Sequence, residues 1–158
     1  MRNHVIIASL LTTLGLSGCV QVIPALNSEG KSPMVGTWQG QMNCRLSADQ
    51  RTQKIIWSFK ESGTPGVATG EVYSLSKNLL GVEELVVITA DATVSEGKKL
   101  YIDQKEVVVN PGSRWAPSDW EGTLTSEDSL TMGGCGTSMT LTRTSKEYTP
   151  NAWMLWSK

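Results

Sequence analysis

Gly36-Thr37-Trp38-Gln39-Gly40-Gln41-Met42-Asn43-Cys44 alternates without a break. Its even positions (Gly, Trp, Gly, Met, Cys) are apolar or small and its odd positions (Thr, Gln, Gln, Asn) are polar. That pattern is a strand with one buried and one wet face. The last clear strand of the chain, Cys135 to Arg143, answers it: Cys135, Thr137, Met139, Leu141 and Arg143 share one face, and Gly136, Ser138, Thr140 and Thr142 the other. In an antiparallel pair the numbers of opposed residues sum to a constant. Cys44 with Cys135 gives 179 and Trp38 with Arg143 gives 181. The sums differ by two, so in one register the pairs are directly opposed or diagonal neighbours. A sheet whose first and last strands meet is a closed barrel with no edges to protect.

Between these two segments the chain reads almost entirely as strands. Ile55, Trp57 and Phe59 alternate with Lys54, Ser58 and Lys60; Val67, Tyr73 and Leu75 share a parity; residues 84–94 and 98–109 are rich in β-branched side chains. Trp120, Gly122 and Leu124 alternate with Glu121, Thr123 and Thr125, and Leu130 and Met132 follow a turn. Ser62-Gly63-Thr64-Pro65-Gly66, Ser95-Glu96-Gly97, Asn110-Pro111-Gly112-Ser113 and Ser126-Glu127-Asp128-Ser129 supply turn chemistry. The expectation is an all-β domain over 34–144, a small closed antiparallel barrel of seven or eight strands, with a β-sandwich as the alternative. Residues 145–158 form a Trp-rich tail.

The start of the chain reads differently. Arg2 is followed by an apolar run from Val5 to Leu14 and then by small residues, the layout of a secretory signal, too short for a membrane span. Leu16-Ser17-Gly18-Cys19 resembles the lipobox of bacterial lipoproteins. The resemblance implies a signal peptide over 1–18, cleavage before Cys19, and lipid on its sulfur and amine, several acyl chains making a stable anchor. Val20, in place of Asp, resembles signals that send lipoproteins to the outer membrane. Residues 19–33, with two prolines and small polar residues, read as a lipidated, flexible tether. Two cysteines remain beyond Cys19, and in an oxidising compartment Cys44 and Cys135 read as one disulfide. Its loop of about 90 residues is worth on the order of 4 kcal/mol in the chain-entropy model.

Gly36-Thr37-Trp38 at the head of the first strand, with Arg143 at the end of the last, is similar to the lipocalin and wider calycin pattern. The likeness implies a barrel whose tryptophan closes one end, with the arginine stacked across it as a cation–π pair. It also favours a cavity for a ligand at a mouth between hairpin loops. The chain is shorter than a full lipocalin and has no long helix after the last strand, which favours a filled interior.

Composition excludes several classes. The formal net charge is −1, and loss of Arg2 with the leader makes it −2, so no field draws in nucleic acid. His4 leaves with the same leader, which removes His-based triads and His-ligated metal from the expectation. No catalytic residue, cofactor or metal is expected, apart from a remote glycosidase reading in which Glu71 and Asp91 point inward as paired carboxylates. The unusual residue is tryptophan, six in all. Trp38 and Trp57 read as core. Trp115 and Trp120 flank a Pro-bearing loop at a barrel mouth, and Trp153 and Trp156, three apart, suit one face of a helical turn. These four are the candidate contacts for a ligand or partner. The functional expectation is a non-enzymatic binding lipoprotein taking a small apolar molecule. The alternative is a lipoprotein that docks on, or inhibits, another envelope protein.

Overall fold

The structure, a computed structural model, describes residues 25–27, 30–46, 49–77, 81–110, 116–134 and 137–157. At 44–46, 49–51, 134 and 157 it gives the course of the backbone alone. Cys19, Trp115, Cys135 and the side chain of Cys44 lie outside this description. The lipidation and disulfide expectations therefore fall outside it too.

Eight strands follow one another: β1 (Gly36–Leu46), β2 (Asp49–Glu61), β3 (Val67–Lys77), β4 (Glu83–Val94), β5 (Lys99–Val109), β6 (Asp119–Ser126), β7 (Ser129–Gly134) and β8 (Thr137–Ser145). Each pairs antiparallel with the next, and β8 returns to β1, so the sheet is a closed barrel and not a sandwich. The seam has the register read from the sequence. Trp38 lies opposite Arg143, Gln39 opposite Thr142 and Gly40 opposite Leu141, with a one-residue shift at the Thr37 end.

Alternation sends every second side chain inward. Trp38 and Met42 of β1, Ile55, Trp57 and Phe59 of β2, Val86, Ile88, Ala90, Ala92 and Val94 of β4, and Met139 and Leu141 of β8 all join one buried core. Full burial of each large apolar side chain is worth roughly 1.5–3 kcal/mol. Small residues let the wall curve. A Cβ on Gly70 would sit 2.9 Å from Phe59 Cα and closer still to the Ser58 carbonyl, so only glycine lets β3 lie this close to β2.

β3 departs from the apolar parity seen in the sequence. Its inward residues are Ala68, Val72, Ser74 and Ser76, while Val67, Tyr73 and Leu75 face outward with Glu71. The physical reason lies at the C-terminus. A 3₁₀ helix over Ala152–Ser157 lies on the outer wall, and Ala152, Leu155 and Trp156 cover Ile56, Tyr73, Val87 and Leu85. Both faces of β2–β4 are thus apolar locally, and alternation alone cannot say which one is the core.

The tether expected over 19–33 is docked in its described part. Ala25 N donates to Val94 O at the end of β4 and the Ala25 side chain packs on the core. Ser32 N donates to Glu61 Oε1 at 2.8 Å, and Met34 is fully buried. This segment floors the end of the barrel where β1 begins.

Candidate functional site

The floored end is built around the seam. Trp38 Nε1 donates to Met34 O at 3.0 Å, and the Arg143 guanidinium stacks 4.4 Å above the indole. Arg143 Nη2 donates to Pro33 O at 2.6 Å and to Glu127 O at 2.8 Å. Its Nε has no hydrogen-bond partner but lies 3.4 Å from Asp128 Oδ1, a charge contact on a side chain only 7% exposed. Burial pulls the guanidinium pKa down, and Asp128 and Glu127 push it back up. Its ordinary value is so high that it stays charged. Trp38 and Arg143 are architectural. They close the barrel.

A second polar cluster lies outside the wall, where the tail crosses it. Thr149 N donates to Ser58 Oγ at 2.7 Å, and Thr37 Oγ1 donates to Glu147 O at 2.9 Å. Tyr148 donates its phenol to both oxygens of Glu71, at 2.9 and 3.2 Å. Lys60 Nζ sits 5.4 Å from the Tyr148 ring centre. Glu71 is therefore an outward anchor for the tail. Asp91 also faces outward and meets Lys105 Nζ at 3.7 Å. The inward carboxylate pair is overturned by the strand parity, which sends both side chains away from the interior.

Burial, and secondarily Glu71, push the Tyr148 phenol up to about 12 from its ordinary value near 10. A pKa raised by folding means that the protonated form is the one the fold favours. The stability it contributes is complete below pH 10 and is lost as pH rises through 12. Phenolate absorbance should show one tyrosine ionising near pH 12, with an alkaline loss of stability in the same window. Tyr148→Phe should remove that titration; an unchanged curve would refute the assignment.

The cavity lies at the other end, where β5 runs toward β6. It has a volume of about 50 Å³. Its floor is aliphatic (Ile55, Val72 and Ile88), and Trp120 forms one wall. Two carboxamides, Gln53 on β2 and Gln104 on β5, enter it with Ser74, and all three are at least nine-tenths buried. It reaches the surface past Ala116 and Ser118, both exposed. The oxygens of the amides are engaged: Ser118 N donates to Gln104 Oε1 at 3.1 Å, and Ser74 Oγ to Gln53 Oε1 at 3.5 Å. Trp120 Nε1 donates to Ser118 Oγ at 2.7 Å, and its ring lies 6.3 Å from that of Trp57. Trp57 is fully buried, and its Nε1 has no partner among the described residues.

Of the four candidate tryptophans, Trp120 lines the cavity, Trp156 packs on the outer wall and Trp153 is 37% exposed. The helical turn is present, yet the last two do not share one environment. Gln53 and Gln104 were not singled out by the sequence reading, although a signal existed: Gln53 has the parity of Ile55, Trp57 and Phe59, and Gln104 that of Leu100 and Ile102. Among the described residues no three His, Cys, Asp or Glu side chains gather as a metal site, and no helix is long and apolar enough to cross a membrane. No protein-family model, curated protein or solved structure matches this chain.

Proposed function

We propose that the protein is a non-enzymatic binding lipoprotein of the bacterial outer membrane, held by lipid on Cys19, with a lipocalin-like barrel whose mouth receives a small ligand or one projecting group of a larger one. The observation that carries this reading is the cavity beside Trp120, which combines an aliphatic floor with two buried carboxamides at the end opposite the Trp38–Arg143 closure. At about 50 Å³ it is far smaller than the pocket of roughly 300 Å³ or more that a whole drug-sized ligand fills. A long acyl chain does not fit inside. The second reading, docking on another envelope protein, draws on the otherwise filled interior and on Trp153 and Met154, 37% and 49% exposed on the outer wall.

The test is tryptophan fluorescence of the folded domain, titrated with decanoate, with simple N-acetylated probes and with an envelope extract. A saturable change that disappears in Trp120→Phe supports the ligand reading. No change with any of them removes it and leaves docking, which a pull-down with the membrane-anchored protein would then address. Cys19→Ser should move the protein from the membrane fraction to the soluble one, and a variant that stays bound defeats the anchor.

A further inference from the structure

Resting on the cavity as the ligand site, we propose that it selects a neutral amide group, taken carbonyl-first from a larger molecule. Three features of the wall lead there. Charge comes first: among the described residues, no ionisable side chain lines the cavity. A buried ammonium or carboxylate would meet no counter-charge among these described lining residues, and an unpaired ion is expensive to desolvate.

Hydrogen-bond polarity comes second. A carboxamide has an accepting oxygen and a donating NH₂. The backbone donor Ser118 N fixes which end of Gln104 is oxygen, and Ser74 engages the oxygen of Gln53. Both Nε2 groups are then the donor ends, in side chains 7% and 3% exposed. Trp57 Nε1, on a ring beside Trp120, is a buried donor without an acceptor among the described residues. Donors in excess call for an acceptor, and buried donors left unpaired are costly.

Size comes third. A volume of about 50 Å³ holds about four water-sized units. An acetamido group has four non-hydrogen atoms. Its methyl meets Ile55, Val72 and Ile88, its carbonyl accepts from the glutamines, and the rest of its parent molecule lies outward against Trp120. A carboxylate would offer acceptors but carries charge. A plain alkyl chain would leave the donors unpaired.

The sources of such a group are an N-acetylated sugar or a peptide amide, and the experiment separates them. N,N′-diacetylchitobiose and N-acetylalanine amide are titrated into the full domain by fluorescence and by NMR shifts of the glutamine side-chain amides. Glucose, glucosamine and decanoate serve as controls. The expectation is binding with Kd on the order of 0.1–1 mM for at least one acetamido probe, a range set by the few atoms buried. Glucosamine and decanoate should bind at least tenfold more weakly. Gln53→Met keeps the side-chain volume and removes the donor, and should weaken the acetamido probe about tenfold. The Gln53→Met variant should keep the parent's far-UV circular dichroism and urea midpoint, which separates lost binding from a folding defect. Binding of decanoate without the acetamido probes, or equal binding of glucosamine, overturns the amide assignment while leaving a ligand site in place. No response to any probe, as for a cavity that holds only water, overturns both.

Discussion

Arg143→Ala should lower stability by about 3 kcal/mol, a fall of roughly 12 °C in Tm for a domain of this size. The loss has two parts. The Pro33 and Glu127 carbonyls each lose a charged donor, at 2.6 and 2.8 Å. The Trp38 face loses its cation, worth about 1–2 kcal/mol when the pair is desolvated. Pro33 is buried and Glu127 exposed, so the Pro33 carbonyl left bare makes up most of the first part, about 1–3 kcal/mol. Against these stands the relief of an arginine whose pKa burial pulls down, so the net effect is smaller than the sum. Arg143→Lys should recover less than half, because an ammonium cannot bridge two carbonyls while lying flat on an indole. Urea unfolding at neutral pH measures this. A loss under about 1 kcal/mol in the alanine variant would show that the stack contributes little.

Truncation after Ser145 should have the largest effect of all, about 3–5 kcal/mol. The tail covers a row of outward apolar side chains that the register sets side by side: Ile56 opposite Tyr73, and Tyr73 opposite Val87. They are 0%, 3% and 5% exposed only because Ala152, Leu155 and Trp156 lie on them. Val109, opposite Val87, continues the row beyond the covered zone and is already 42% exposed. The truncated chain keeps all eight strands, so its far-UV circular dichroism should remain that of a barrel. It should also bind a hydrophobic dye and self-associate. Tyr148→Phe, which removes the phenol–Glu71 bonds and leaves the helix, should reproduce only about 1 kcal/mol of the loss. A truncated chain with the parent's urea midpoint and no dye binding would mean that the tail is an ornament.

The contrast between these two regions shows what alternation can carry. The seam was readable because β1 and β8 each present one clean face, and Trp38 and Arg143 set the register with two residues. β3 was not, because its outward Tyr73 belongs to a cluster with the tail, a contact between residues about 80 positions apart that leaves no local trace. Gln53 and Gln104 failed for the opposite reason. Polar residues at inward positions break the pattern, and the cavity they enter exists only once β2 and β5 face each other across the closed barrel. Trp120 was singled out for its flanking loop, and the structure places it at the cavity wall.

The pinning of Ala25 to the end of β4 turns the amino terminus into a short leash. With Cys19 as the proposed anchor, five residues (20–24) separate the lipid from the first fixed point. Fully stretched, the six steps from Cys19 to Ala25 reach about 20–22 Å. Strands of eleven residues, such as β3, are about 36 Å long, so even tilted the barrel is taller than its leash. So anchored, the domain could not turn over. On that proposed anchor, the end floored by Trp38 and Arg143 would stay toward the bilayer, and the cavity beside Trp120 would face away. A ligand of a domain anchored in this way would arrive from across the compartment, with the acyl chains of the leaflet below out of reach.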